Sequence, residues 1–180
     1  MRNLETIKCP GNSMRRWWRV KNPLRTTFNF LLIYSSRFLP STRLKNFLYR
    51  TCGAKIGRGA TFGLGAVLDI FYPENIEVGE GALIGYNTVL LGHEFLQGCY
   101  RMGKVSIGKG VMIGANCTVL PGVKIGNSAS VSAMSLVNRD VPAGQKWGGI
   151  PVARLRQEST GPQRRSLRAT RRTLRIRRLK

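Results

Sequence analysis

The stretch Ile107–Gly126 decides the fold, and it reads IGKGVMIGANCTVLPGVKIG. Apolar residues stand six positions apart in it, at Ile107, Ile113, Val119 and Ile125, and a glycine follows three of these four. A period of six puts no continuous stripe on a helix of 3.6 residues per turn, and repeated glycine disfavours helix. The stretch therefore predicts short strands that turn a corner every six residues.

The same period continues on both sides of this stretch. Twelve positions carry an apolar residue, where 42% hydrophobic composition would give about five by chance. They form four sets of three: Ile56, Phe62, Leu68; Val78, Ile84, Leu90; Ile107, Ile113, Val119; Ile125, Val131, Val137. Three such strands close one triangular coil, and stacked coils pair in parallel. We expect glycine to relieve the backbone at the corners, and small neighbours such as Ala66 and Cys117 to fill a tight interior. A Gly-rich β-sandwich is the competing all-β interpretation.

Two insertions interrupt the period. Four extra residues separate Leu68 from Val78, and eleven separate Leu90 from Ile107. A solenoid accepts insertions at its corners, and functional residues tend to lie there. The only histidine of the chain, His93, lies in the longer insertion.

Three motifs carry a family resemblance. They are Ile113–Gly126, then Val137-Asn-Arg-Asp-Val-Pro142, then Gly148-Gly-Ile-Pro-Val-Ala-Arg-Leu-Arg156. The stretch from residue 52 to 157 resembles the hexapeptide-repeat acetyltransferases, in particular the maltose, galactoside and nodulation-factor enzymes. The resemblance implies a β protein with a left-handed parallel β-helix, usually a homotrimer with active sites between subunits. The handedness rests on the resemblance alone, since right-handed crossovers are the general rule.

The resemblance also implies a reaction. Members of this family move an acetyl group from acetyl coenzyme A, a cosubstrate rather than a permanently bound cofactor, to a small acceptor without an acyl-enzyme. A histidine in the extended loop acts as general base, and here it can only be His93 in Leu91-Gly-His-Glu-Phe95. A neutral imidazole can accept the acceptor's proton during attack on the thioester. The alternative is that His93 is an ordinary solvated loop residue.

Residues for coenzyme A and for the acceptor follow by position. Ala115 and Ala133 match small residues that line the pantetheine groove, and the alternative for both is tight packing. Asn138, Arg139 and Arg156 match residues beside the phosphates, which suit arginine because its planar fork donates two hydrogen bonds. The alternative for Arg139 and Arg156 is that they are surface residues that serve solubility. Ser132 and Met134 replace family glycines, so a narrower or differently shaped groove is expected.

The acceptor site is predicted from the two insertions. Asp69 and Glu74 lie where relatives hold acceptor hydroxyls, and either could instead orient His93. Tyr100 and Met102 are expected to form a wall over the acceptor. The alternative is that these are ordinary loop residues.

Charge divides the chain into three parts. Residues 1–50 hold 11 basic and 1 acidic side chains, residues 51–160 hold 10 and 7, and residues 161–180 hold 9 and none. We therefore expect a basic helical N-terminal cap at 1–50, the β-helix at 51–157 and an Arg-rich tail at 158–180. The helices either cap the open end of the solenoid or lie on an anionic membrane surface. The tail is either a solvated extension or a binder of polyanions, without sequence-specific nucleic-acid recognition because it has no aromatic residue.

Other classes of function fit poorly. One histidine and four cysteines without CxxC spacing favour no metal site and reduced thiols in a cytoplasmic protein. The predicted function is O-acetylation of a sugar or surface-glycan precursor. N-acetylation of an amine and a non-catalytic β-helix that binds polyanions are the alternatives.

Overall fold

The computed structural model describes residues 2–156. The chain begins with strand β1 (Glu5–Asn12), a 3-10 turn (Ser13–Arg16) and helices α1 (Trp17–Val20), α2 (Pro23–Ser36) and α3 (Thr42–Thr51). The helical N-terminal segment that the sequence predicts is present as α1 to α3, and strand β1 precedes it. The predicted tail at 158–180 lies outside the described residues.

Short strands make up the rest of the chain. They are β2 (Lys55–Ile56), β3 (Thr61–Phe62), β4 (Val67–Leu68), β5 (Ile76–Val78), β6 (Leu83–Ile84), β7 (Val89–Leu90), β8 (His93–Phe95), β9 (Gln97–Met102), β10 (Val105–Ile107), β11 (Met112–Ile113), β12 (Thr118–Val119), β13 (Lys124–Ile125), β14 (Ser130–Val131), β15 (Leu136–Val137), β16 (Lys146–Gly148) and β17 (Ala153–Arg154). A 3-10 turn (Pro73–Asn75) precedes β5.

Three sheets run along the solenoid and form its walls. Sheet 1 holds β2, β5, β10 and β13, and sheet 3 holds β4, β7, β12 and β15, each strand parallel to its neighbours. Sheet 2 holds β3, β6, β11, β14 and β16 in parallel, and β17 closes it in the antiparallel direction. Consecutive strands step from one sheet to the next, so the chain is a parallel β-helix. We call the passages after sheets 1, 2 and 3 corners 1, 2 and 3.

The predicted core is confirmed. All twelve period-six residues are buried, from Ile56 to Val137, and so are Ala60, Ala66, Ala82, Cys117, Ala129 and Ser135. Apolar burial stabilises a fold by roughly 25 cal/mol per Å². One column of side chains along the axis therefore holds all the coils together.

The glycines that follow the period-six residues are required for a different reason from the one expected. A Cβ on Gly63 would lie 2.7 Å from the backbone nitrogen of Tyr86, and one on Gly108 would lie 2.7 Å from that of Asn127. Neither glycine has a positive φ. Close approach of the next coil, rather than strain at the corner, therefore requires glycine here.

The helices α2 and α3 cover the first coil. Side chains of α3 donate to its free carbonyls: Lys45 Nζ to Gly63 (2.7 Å), Asn46 Nδ2 to Ala60 (2.7 Å) and Tyr49 Oη to Ala66 (2.9 Å). Asn29 Nδ2 of α2 donates to Ile70 at 3.0 Å. An open coil end would otherwise expose unpaired strand edges. The side chains of α2 and α3 that face the solenoid therefore cap its open end, which is one of the two roles expected for these helices.

The longer insertion is a β-hairpin rather than an irregular loop. Strands β8 and β9 pair antiparallel, and β1 adds a third strand against β9. Arg2 pairs with Glu94 at 2.6 Å, and Ser13 Oγ donates to Leu96 O at 2.8 Å. The N-terminal segment thus holds down the hairpin that carries His93.

Within the described residues, no helix is both long and apolar enough to cross a bilayer.

Candidate active site

Two successive coils bring Asp69 and His93 together at corner 3. Asp69 follows β4 in the first coil, and His93 follows β7 in the second, so the stacking of the coils superposes them. Asp69 Oδ2 lies 2.5 Å from His93 Nδ1. Asp69 was predicted either to bind the acceptor or to orient His93, and this geometry favours the second role.

The Asp69 carboxylate has no capacity left for a substrate. Its Oδ1 accepts from the backbone N–H groups of Phe71 (2.8 Å) and Tyr72 (3.1 Å), and its Oδ2 from that of Gly92 (2.7 Å). The residue is only 3% exposed. Because a carboxylate accepts hydrogen bonds, it holds the Nδ1–H tautomer of His93. The lone pair of Nε2 is then free to take a proton.

Aromatic rings surround the imidazole. The ring of Phe95 lies 4.5 Å from that of His93, Phe71 lies 4.9 Å away and Tyr72 5.6 Å away, centroid to centroid. Trp17 of α1 packs on Phe71 at 5.8 Å. These rings restrict the imidazole to one orientation and leave it partly accessible.

Tyr72 is held as a neutral phenol. Burial raises its pKa well above the ordinary value, and the neighbouring Tyr100, Glu74 and Asp69 raise it further. The ammonium of Lys21 lies 4.4 Å from the ring centroid. Tyr72 can therefore donate or accept hydrogen bonds beside His93 without carrying charge.

The other predicted acceptor residues divide into two groups. Met102 lies directly opposite His93 in the hairpin, and Tyr100 lies opposite Phe95 with the two ring centroids 6.4 Å apart. Both thus lie in the aromatic neighbourhood of the imidazole. Glu74 is exposed and pairs with Lys21, and its carboxylate has no bond to His93.

The predicted pantetheine residues line one groove on sheet 2. Ala115 and Ala133 lie along it together with Met112, Ser132 and Lys146, and its volume is about 360 Å³. Met134, where the family has glycine, has a φ of +58° and is exposed. Its side chain therefore leaves the corner instead of closing the groove.

A second cavity of about 690 Å³ continues from the groove. Arg156 lines it with Arg154 and Lys146, and Lys146 belongs to both cavities. Neither Lys146 nor Arg154 was predicted from the sequence. Arg154 lies within the Gly148–Arg156 motif and Lys146 lies two residues before it, and this position was the available signal. Three basic side chains make this cavity a suitable place for phosphate.

Asn138 and Arg139 lie elsewhere, at corner 3 of the fourth coil, directly after β15. The Oδ1 atom of Asn138 is buried and has no hydrogen-bond partner among the described residues. Arg139 is exposed. A buried acceptor without a partner is costly, and a ligand N–H would satisfy it.

The site residues therefore lie at two different corners of the triangle. His93, Asn138 and Arg139 share corner 3, whereas Ala115 and Ala133 lie at corner 2 beside the sheet 2 groove. Sheet 3 separates these two corners. One subunit alone does not place its groove against its imidazole.

Comparison with known proteins gives the family. Residues 104–139 match the model for the bacterial transferase hexapeptide (six repeats). YvoF of Bacillus subtilis, named provisionally as an acetyltransferase, is 46% identical over 152 residues, which are 82% of this chain and 88% of YvoF. The chain belongs to the hexapeptide-repeat acetyltransferases. SAS0727 of Staphylococcus aureus, another provisionally named acetyltransferase, is 39% identical over 132 residues, covering 73% of this chain and 82% of that protein.

Solved structures of hexapeptide-repeat acetyltransferases share the fold. A galactoside acetyltransferase in complex with coenzyme A is 22% identical with a TM-score of 0.60, covering 74% of this chain and 80% of that one. The acetyltransferase VCA0836 of Vibrio cholerae, complexed with acetyl coenzyme A, is 21% identical with a TM-score of 0.58, covering 74% and 86%. The predicted family is thus confirmed.

Proposed function

We propose that this chain transfers an acetyl group from acetyl coenzyme A to a hydroxyl of a sugar or surface-glycan precursor. The observation that carries the proposal is the pair formed by His93 and Asp69, a fixed imidazole with a free Nε2 among aromatic rings. In this mechanism Nε2 takes the hydroxyl proton as the oxygen attacks the thioester carbonyl. The thiolate of coenzyme A then leaves, and no acyl-enzyme forms.

The groove on sheet 2 and the basic cavity beside it suit the two parts of coenzyme A. Its pantetheine arm is narrow, and the groove beside Ala115 and Ala133 has small side chains at these points. Its phosphates would meet Lys146, Arg154 and Arg156. The buried Oδ1 of Asn138 would accept an amide N–H of the arm, with Arg139 beside it. Met134, which points outward, leaves room for the arm.

Assembly would complete the site. Hexapeptide-repeat acetyltransferases are typically trimers, and we infer a homotrimer of left-handed β-helices for this chain. Corner 3 of one subunit, with His93, would then face the sheet 2 groove of the next. The separation of the two corners within one chain supports such an inter-subunit site.

The acceptor is inferred from the surroundings of His93. Flat aromatic surfaces such as Phe71, Phe95 and Tyr72 suit the C–H face of a sugar ring. Tyr100 and Met102 would form the far wall of this pocket. Asp69 acts on the imidazole, and Glu74 is left for contact with the acceptor at the edge of the site.

The test is coenzyme A release with a panel of sugars and amino sugars. His93→Ala is expected to lower kcat about 10²- to 10⁴-fold with little change in the KM for acetyl coenzyme A. Gln97→Ala, at the exposed end of the same hairpin, is the control and is expected to keep full activity. Full transfer by His93→Ala would overturn the base assignment, and acylation of amines alone would overturn the hydroxyl assignment.

A further inference from the structure

Helix α2 buries mostly polar side chains and leaves most of its large apolar side chains exposed. The buried positions are Thr26, Asn29, Ile33 and Ser36. The opposite side carries Leu24, Phe28, Leu31 and Tyr34, followed by Phe38 just beyond the helix, and we call these five residues the outer face. Leu24 is 82% exposed, Leu31 60% and Phe38 69%. Leu24, Phe28 and Leu31 therefore point away from the solenoid, whereas Leu32 and Ile33 pack against its core.

The open end of the first coil explains this inversion. Its free carbonyls require hydrogen-bond donors, and Asn29, Lys45 and Asn46 supply them from the helices. Polar side chains must therefore face inward, which leaves the apolar ones outside. An exposed apolar surface of this extent marks an interaction site.

The charge around the outer face has one sign. No acidic residue occurs between Glu5 and Asp69, whereas residues 13–51 contain nine basic ones. The guanidinium of Arg25 lies 5.4 Å from the ring centroid of Phe28, and that of Arg37 lies 5.7 Å from that of Tyr34. Aromatic and aliphatic side chains interleaved with arginine are typical of helices that lie in the interface of an anionic bilayer.

We propose that the outer face docks this chain on an anionic lipid bilayer. Charge complementarity selects this occupant, because two basic faces of the same chain would repel each other. The basic residues 161–180 would be repelled in the same way. At 14 residues α2 is shorter than the roughly 20 needed to span a bilayer, so it would lie in the plane of the headgroups.

Helix α1, which directly precedes α2 in the chain, contacts the candidate active site. Exposed Trp18 contacts Trp17, which packs on Phe71, and Phe71 packs on His93. Lys21, at the end of α1, pairs with Glu74 and lies over Tyr72.

The experiment is sedimentation of the full chain with vesicles of phosphatidylcholine alone or with added phosphatidylglycerol. The wild type is expected to bind only the anionic vesicles. The double variant Leu24→Ser/Leu31→Ser is expected to bind them at least tenfold more weakly. The control Tyr86→Ser removes a side chain of similar exposure (59%) from the second coil and is expected to bind like the wild type.

Two further measurements distinguish a loss of lipid docking from a loss of coenzyme A binding or of assembly. Calorimetry with acetyl coenzyme A is expected to give the same affinity for the double variant as for the wild type, whatever the vesicles show, so failure of docking does not affect the proposed catalytic function. Light scattering reports the mass of the assembly. Unchanged vesicle binding by the double variant, equal binding to neutral vesicles, or a loss of assembly mass in the double variant would each overturn the docking proposal.

Discussion

Asp69 and His93 come from successive coils and meet with Oδ2 2.5 Å from Nδ1, while three backbone N–H groups hold the same carboxylate in place. This geometry supports the proposal that Asp69 orients the imidazole rather than binding a substrate. A hydrogen-bonded partner of this kind fixes which ring nitrogen carries the proton.

We expect Asp69→Asn to lower kcat about 100-fold, because an amide can present its N–H to Nδ1 and so favour the wrong tautomer. The KM for acetyl coenzyme A should stay the same, since the groove lies at another corner. Steady-state kinetics over a range of pH checks this, with Glu80→Gln on an exposed corner as the control. An equal loss in both variants would contradict an orienting role.

A second prediction concerns the clamp on the hairpin. Ser13 is fully buried, and its hydroxyl both donates to Leu96 O and accepts from Leu96 N. Ser13→Ala should cost about 1 kcal/mol in free energy of unfolding, because it removes the two hydroxyl hydrogen bonds to Leu96, whose N–H and C=O keep only their backbone partners Cys99 O and Ser13 N. Urea denaturation measures it. The exposed Ser35 bonds only within its own helix, so Ser35→Ala should cost far less.

Hydrogen exchange gives the local effect of the same change. Amides of Gln97–Met102 should exchange faster in Ser13→Ala, whereas those of sheet 1 should not. Uniform acceleration across the chain would show global destabilisation and would contradict the clamp.

The sequence was sufficient for the solenoid because each coil repeats one local rule. An apolar residue every six positions fixes the core, as Ile113 and Val119 illustrate, and close stacking explains Gly63. The choice of His93 followed from its place in the insertion together with the family resemblance. Its partner could not be chosen between Asp69 and Glu74, because that depends on how two coils superpose.

The flanks were less predictable because long-range contacts decide them. Glu5–Asn12 becomes a strand only because β9 offers an edge some ninety positions later in the chain. Hydropathy could not show which side of α2 faces the solenoid, because the carbonyl of Ile70 there takes its donor from the polar Asn29.

The buried amine of Lys45 gives a third prediction. Burial lowers its pKa from the ordinary value of 10.5, and its Nζ donates to the carbonyls of Phe62 and Gly63. Lys45→Met should destabilise the chain by about 2 kcal/mol, because these carbonyls lose their donor. Arg43→Met, on the exposed side of the same helix, is the control.

The pH dependence of this effect has a definite sign. A lowered pKa means that the unfolded state binds the proton more tightly than the folded state. Stability contributed by Lys45 should therefore increase as pH rises from the lowered pKa towards 10.5. Urea midpoints of wild type and Lys45→Met should diverge over that window, and convergence would contradict the assignment.

The groove gives a fourth prediction. Ala115→Phe should raise the Kd for coenzyme A at least tenfold, about 1.4 kcal/mol, because the ring would occupy the space proposed for the pantetheine arm. Calorimetry measures the affinity. Ala143→Leu adds bulk at corner 1, outside the groove, and should bind coenzyme A like the wild type. Equal affinity in Ala115→Phe would remove this groove from the proposed site.

The four cysteines should differ in reactivity according to burial. Burial raises the pKa of Cys52 to about 11 and also raises that of Cys117, so little reactive thiolate exists at pH 8. Cys9 and Cys99 are only partly buried. Alkylation with iodoacetamide followed by peptide mass spectrometry should modify this pair first and reach the other two only after denaturation. Early modification of Cys52 would mean that α2 and α3 open away from the first coil in solution, because Cys52 lies beneath them at the end of α3.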